Sequence, residues 1–376
     1  MNHEGFYSLG SGEMMNGPSD LWVVVPSVRE HNVDVFIRKW GAGTYPNINF
    51  LIVHDCQSHA RVDENNVHHV SWDDIDRHLG DDAWLIPRKT DCVRSFGFLI
   101  AAKMGAKYII SMDDDCFPLD GRPEDFFFDH MKILSAGIHP SFSTTGERSH
   151  YMRPRGLFRK DTEDGCDKRI LINHGLWAGQ LDLAASDSMF SMRLLGRSDV
   201  PMRWLPPRFD IVPAGMMYPM CGMNVSFSTD ILPAMYFTLQ GKMFVDGDVH
   251  HSKYDRWGDI WCGLFSKVVI DGMGGCVSTG VPRVFHEGAS STRANVDKEF
   301  NGHFLHPKLV RHLLQRGIVT PRPSVGFENS AEMYREIADS LPSIPDLTMN
   351  EKSYLRLLSE AMKRWTELCQ KFARGS

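Results

Sequence analysis

The sequence predicts an α/β fold: a doubly wound, Rossmann-type, mostly parallel sheet flanked by helices, with a helical extension at the C-terminal end. Three observations predict it. Apolar runs without alternation recur at Leu21–Pro26, Asn49–Val53 and Lys107–Met112, as strands buried on both faces require. Segments with helical spacing separate them. Each run then gives way to polar residues, at Ser27-Val28-Arg29, His54-Asp55 and Asp113-Asp114-Asp115. Open α/β sheets bind ligands beyond the carboxyl ends of their strands, so the pattern points to a nucleotide-type site.

Taken in order, residues 1–18 are rich in Gly, Ser and Asn and read as a disordered lead-in. Val33 to Trp40 reads as a helix, and Val67–Trp72 as a third strand. Thr90 or Asp91 caps a helix with Val93, Phe96, Gly97, Ile100, Ala101 and Met104 on one face. Residues 140–210 are less regular. Apolar helices return near Asp230–Leu239 and Ile260–Asp271. Beyond Pro321 and Pro323, the residues Leu355, Leu358, Met362, Trp365, Cys369 and Phe372 alternate spacings of three and four. They predict an amphipathic helix that packs on the core or pairs across a homo-oligomer. The resulting division is a lead-in at 1–18, a nucleotide-binding domain at 19–310 and a helical extension at 311–376.

Composition narrows the function. The chain has 376 residues, of which 42% are hydrophobic and 23% charged, enough for a large core without metal or disulfide staples. A net charge of −6 disfavours nucleic acid and anionic membrane as partners. No apolar stretch is long enough to span a bilayer, and Met1–Gly5 lacks the features of a secretory signal. The eight cysteines are scattered without a C-x-x-C pair, which disfavours a zinc ribbon and suits a reducing cytoplasm. Neither Gly-x-Ser-x-Gly nor a phosphate-binding Gly-x-x-x-x-Gly-Lys loop occurs.

The strongest chemical signal is Ser111-Met112-Asp113-Asp114-Asp115-Cys116-Phe117-Pro118. Three carboxylates at a strand end repel one another, and a divalent cation with oxygen ligands, Mn²⁺ or Mg²⁺, is the simplest compensation. Such an ion bridges to phosphate oxygens and neutralises a departing diphosphate. Pro26, Ser27, Arg29, Asp55, Arg94, Asp113 and Asp114 are the nucleotide-binding candidates. Asp55 suits the uracil N3–H or a ribose hydroxyl, and Arg94 a base carbonyl or a phosphate.

The acidic run resembles the metal-binding motif of glycosyltransferases of the GT-A fold. More of the chain resembles one family within that fold. Val25-Pro26-Ser27-Val28-Arg29, Arg94-Ser95-Phe96-Gly97, Asp113-Asp114-Asp115-Cys116-Phe117, His174-Gly175-Leu176-Trp177, Pro219-Met220-Cys221-Gly222-Met223-Asn224 and His286-Glu287-Gly288 are similar to the reversibly glycosylated polypeptides. That family includes the UDP-arabinopyranose mutases. The resemblance implies a metal set of Asp113, Asp115 and His286, and a catalytic pair of Arg155 and Asp259. It implies a sugar or acceptor pocket lined by His174, Trp177, Asp182, Asn224 and Trp261. The chain departs from the family at Gly258, where a second aspartate is expected. It departs again at Arg155-Gly156-Leu157-Phe158, which lacks the proline and aromatic of the family's sugar-carrying arginine segment. Arg159 and Arg169 both compete for a second family arginine. That departure favours a metal-dependent glycosyltransferase passing sugar from a UDP-sugar to a separate small-molecule or glycan acceptor. A UDP-arabinopyranose mutase-like enzyme is the alternative. A non-catalytic sugar-nucleotide-binding subunit is the second.

Overall fold

A computed structural model describes residues 20–119, 121–135, 168–180, 199–200, 209–245, 247–288, 292–315 and 317–374. The lead-in, Arg155, Arg159 and Asp182 lie outside the described residues. The first strands follow the apolar runs: β1 (Leu21–Ser27), β2 (Ile48–His54), β3 (Val67–Val70) and β4 (Tyr108–Met112). Between them lie helices α1 (Glu30–Trp40), α2 (Trp72–Leu79) and α3 (Val93–Lys103). Then come β5 (Cys116–Pro118), α4 (Pro123–Ser135), β6 (Ile170–Gln180), β7 (Asp199–Val200), β8 (Phe209–Val212) and β9 (Asn224–Ser228). A hairpin of β10 (Lys242–Val245) and β11 (Asp248–His251) precedes α5 (Gly258–Gly272) and β12 (Cys276–His286). Helices α6 (Thr292–Glu299), α7 (Gly302–Leu313), α8 (Phe327–Ser340) and α9 (Met349–Arg374) end the chain.

The main sheet runs β3-β2-β1-β4-β9-β6-β12-β5. Strands β3, β2, β1, β4, β6 and β12 point one way, while β9 and β5 run against them. This is the mostly parallel α/β sheet expected. Alternate residues of β1 face opposite layers, as strand geometry requires. Val23 and Val25 join Phe36, Trp40 and Phe127 on one side. Trp22 and Val24 join Phe96, Leu99 and the C-terminal helices on the other. Helix α3 lies close to the sheet because Gly97 has no side chain; a Cβ there would sit 2.5 Å from Val24 Cγ1.

Three local expectations change. The third strand stops at Val70, because Ser71 and Asp74 form a capping box that starts α2 at Trp72. Residues 229–234 form only a 3₁₀ turn and 235–240 continue without helix, since Pro233 has no N–H to donate. Thr90 caps the turn that leads into α3 and not α3 itself: its Oγ1 accepts from Cys92 N at 3.3 Å and donates to Pro87 O at 2.8 Å, and the N-cap position of α3 is Cys92. Among the described cysteines, six are free thiols and Cys276 is disulfide-bonded, which the scattered spacing did not predict.

The apolar face of α9 packs within its own chain. Leu358, Met362, Trp365 and Cys369 are buried in the same core as Phe96 and Tyr236, so this stripe is not left open for a second copy. Among the described residues no helix is long and apolar enough to cross a membrane. Trp365 stacks on Tyr236 with ring centroids 5.2 Å apart. Trp365→Ala is expected to destabilise the fold by about 3–5 kcal/mol in chemical denaturation; an unchanged midpoint would mean that α9 is not docked.

Candidate active site

The Asp113–Asp115 triplet turns the chain from β4 into β5. Asp114 is buried and held from the β1 side. Ser27 Oγ donates to its Oδ2 at 2.5 Å, Arg29 Nε donates at 3.3 Å, and Arg29 Nη2 closes an ion pair with its Oδ1. Asp113 is held from α3, where Arg94 Nη2 donates to its Oδ1 at 2.8 Å. The Arg94 side chain is 5% exposed, and its Nη1 donates to Ser111 Oγ and to Gly222 O, each at 2.8 Å. Gly222 is glycine for a steric reason: a Cβ there would lie 2.8 Å from Arg94 Cζ. Both arginines therefore offset the triplet from within the protein.

Asp115 has a different environment. Its carboxylate receives no hydrogen bond from a described residue, with Arg29 Nη2 and His286 Nε2 each 3.7 Å away. Burial first, then the charge of Asp113, pushes its pKa up to about 6. His286 arrives through pairing of β5 with β12, in which His286 lies opposite Cys116 and Glu287 N donates to Asp115 O at 3.0 Å. His286 Nδ1 donates to Gln180 O at 2.9 Å, which leaves Nε2 as the ring nitrogen that faces Asp115. Among the described residues no three His, Cys, Asp or Glu side chains form a ready metal cage. Asp115 and His286 lie 3.7 Å apart, with Asp113 close enough to raise the Asp115 pKa.

At the other end, Asp55 follows β2. Trp72 Nε1 donates to its Oδ1 at 2.6 Å, and so does Lys89 N at 2.9 Å. Burial raises the Asp55 pKa above the ordinary carboxylate value despite those bonds. A cavity of about 1050 Å³ runs from Asp55 and Pro26 past Arg94 and the triplet to Asp259 and His286. Ser27 and Arg29 also border it. Asp259 is buried as the second residue of α5, whose N-cap position is Trp257.

Asp91, Gln240, Lys89, Lys242, Arg256 and Lys298 also line the cavity, and sequence reasoning missed all of them in that role. Gly258 marks the one legible signal. A Cβ there would sit 2.1 Å from Gln240 Nε2 and 3.2 Å from Asp91 Oδ1. Gln240 thus fills the space that the expected second aspartate would occupy, and Asp91 brings a carboxylate close by.

Four expected sugar-pocket residues do not line the cavity. His174 is buried between Tyr218, whose hydroxyl is 3.0 Å from its Nδ1, and Cys221 N, which donates to its Nε2 at 3.2 Å. Asn224 Nδ2 donates to Leu176 O and Pro282 O at 3.1 and 3.0 Å. Its Oδ1 therefore accepts from His130 Nε2, at 2.9 Å. Trp177 and Trp261 are fully buried core side chains. Arg169, a candidate second arginine, pairs with Asp230 at 2.8 Å away from the cavity. Asp182 and Arg155 lie outside the described residues.

The sequence profile of the reversibly glycosylated polypeptides matches residues 17–374. The chain belongs to that family. A probable UDP-arabinopyranose mutase 1 of Solanum tuberosum is 29% identical over 360 residues, covering 93% of this chain and 89% of the relative. UDP-arabinopyranose mutase 2 of Arabidopsis thaliana is 28% identical, covering 93% and 91%. UDP-arabinopyranose mutase 1 of Oryza sativa subsp. japonica is 30% identical over 303 residues, covering 77% and 76%.

The triplet yields a pH-dependent prediction. Asp115 is protonated in both folded and unfolded chains well below its ordinary pKa near 4. Above about pH 6 the folded chain carries the full penalty of ionising it. In metal-free buffer, Asp115→Asn should therefore melt above the wild type at pH 7.5 and level with it at pH 3. A pH-independent difference would contradict this environment for Asp115. Asp114→Ala should destabilise by about 1.5–3 kcal/mol, because Arg29 and Ser27 lose their charged acceptor.

Proposed function

We propose that this chain is an intramolecular transferase of UDP-sugars, interconverting the pyranose and furanose forms of the sugar. The observation that carries this reading is the extent of the similarity: relatives named UDP-arabinopyranose mutases align over 93% of the chain, and the family profile spans residues 17–374, which takes in the segments around the cavity. The expected transfer to a separate acceptor rested on the altered Arg155 segment. The relatives support the mutase instead.

In this reading the uridine lies at the Asp55 end, and the sugar lies near Asp259. The bond between the anomeric carbon and the diphosphate breaks and re-forms on the same UDP. Between those events a sugar hydroxyl oxygen forms a bond to the anomeric carbon, the bond from that carbon to the former ring oxygen breaks, and the proton of the attacking hydroxyl ends on the former ring oxygen. Asp259, held at the start of α5, is the carboxylate placed to accept that proton and return it. Lys89, Lys242 and Lys298 bring positive charge to the walls where charge grows on the diphosphate. Arg155 remains the family-based candidate for carrying the sugar or clamping phosphate.

The donor set fits a divalent cation. Asp115 is a desolvated carboxylate without a hydrogen-bond donor among the described residues, and His286 offers a nitrogen lone pair toward it. Ions such as Mg²⁺ are commonly held by one or two side chains together with substrate phosphates, without an all-protein cage. Asp115 and His286, with Asp113, would hold Mn²⁺ or Mg²⁺, which when bound supplies charge neutralisation to the diphosphate.

The test is incubation of the chain with UDP-arabinopyranose and Mn²⁺, followed by chromatography of the sugar nucleotides. The expected product is a second UDP-sugar of the same mass, formed without accumulation of UDP. Asp259→Asn should lower its rate by about 10²-fold or more. UDP release matched by sugar on an added acceptor would restore the transferase reading.

A further inference from the structure

We propose that Trp72 is a positioning residue that locks the Asp55 carboxylate in one orientation, and that this lock makes the base subsite select a base with an N–H facing Asp55. The inference rests on the UDP-sugar reading and deepens it: it names the device that separates uracil from cytosine.

Three separate segments converge on Asp55. Its own backbone N–H donates to Ser27 O at 2.8 Å, extending the β1–β2 ladder one residue past β2. From α2, Trp72 Nε1 donates to Oδ1 at 2.6 Å. The α2 start is itself fixed, because Trp72 N donates to Cys56 O at 3.0 Å and the Ser71–Asp74 box caps the helix. From the turn before α3, Lys89 N donates to the same Oδ1 at 2.9 Å. Lys89 adopts a left-handed backbone with φ 58°, an uncommon state for a residue with a side chain. Two side-chain contacts hold that turn: Arg88 Nη2 donates to Asp76 at 2.6 Å, and Thr90 Oγ1 closes on Pro87 O.

Both protein donors thus fall on one carboxylate oxygen. Oδ2 accepts no hydrogen bond from a described residue, and Asp55 lines the cavity together with Trp72 and Lys89. An ionised carboxylate is acceptor-only. Uracil carries a hydrogen on N3 and satisfies Oδ2. Cytosine carries a lone pair on N3 and faces it with repulsion.

The lock also predicts what an amide would do. In Asp55→Asn the two fixed donors demand the amide oxygen on their side. The NH₂ group must then face the cavity, turning the acceptor into a donor. Cytosine N3 now has a partner and uracil N3–H does not. Without Trp72 only Lys89 N holds the group, and the amide is freer to turn over.

Isothermal titration of the full chain with UDP and with CDP, at one fixed Mn²⁺ concentration, tests this. Wild type should bind UDP more tightly than CDP. Asp55→Asn should reverse that order. Trp72→Phe, which keeps an aromatic ring and removes the donor, should weaken UDP about tenfold and narrow the UDP-to-CDP ratio. The double variant should show a ratio near one. General structural damage would weaken both nucleotides together and leave the ratio unmoved. An unmoved ratio in Trp72→Phe, or equal losses for UDP and CDP in Asp55→Asn, would overturn the lock while leaving the UDP-sugar reading standing. Absence of UDP binding by the wild type would overturn that reading, and the lock with it.

Discussion

Three adjacent carboxylates at the end of one strand cannot be taken out of water without cations beside them. The site is organised around that constraint. Arg29 reaches Asp114 from the start of α1, and Arg94 reaches Asp113 from α3. The two helices that flank β1 are thereby tied to the tip of β4. Ser27, Ser111 and the Gly222 carbonyl complete the bonding of these groups. The compensation is weakest at Asp115, whose carboxylate accepts no hydrogen bond from a described residue and meets His286 across the β5–β12 pairing, with Arg29 3.7 Å away. A triplet that reads as a uniform acidic run therefore divides: Asp113 and Asp114 are bonded to arginines, Asp115 accepts no hydrogen bond from a described residue, and all three border the cavity.

The same division of labour recurs along the cavity. At one end Asp55 is held through one oxygen and offers the other. At the other end Gln240 bridges Asp91 and the Arg256 backbone, with Gln240 Oε1 accepting from Arg256 N at 2.6 Å. Gly258 leaves room for that bridge beside Asp259. Each of these cavity groups is positioned by a neighbour from a different segment, so the cavity's shape and the fold draw on the same contacts.

Much of this was legible in the sequence. The runs Leu21–Ser27, Ile48–His54 and Tyr108–Met112 are buried on both faces, so hydropathy alone locates them and the polar residues at their ends. The family motifs located the triplet, His286 and Asp259. The failures share a cause. The family resemblance places His174 and Asn224 in a sugar or acceptor pocket. They belong instead to polar networks sealed inside the sheet: His130 joins Asn224, Ser226 and Asn173, with Ser226 Oγ 2.7 Å and Asn173 Nδ2 3.0 Å from its Nδ1. A buried polar group satisfied by long-range partners cannot be told from a ligand-facing one before the strands are paired. Trp72 was assigned to a strand for a similar reason, since the capping box that makes it a helix start is local chemistry at a boundary. Lys89, Lys242 and Lys298 come from a turn, a hairpin and the short helix α6, whose convergence has no sequence period.

We propose that the triplet offers Asp115, with His286, to a cation that also needs the nucleotide's phosphates. Electron paramagnetic resonance of Mn²⁺ titrated into the chain, with and without UDP, measures this directly. The account predicts weak retention of Mn²⁺ by the chain alone and one ion held per chain once UDP is present. Equal retention with and without UDP, or none with UDP at saturation, would contradict it.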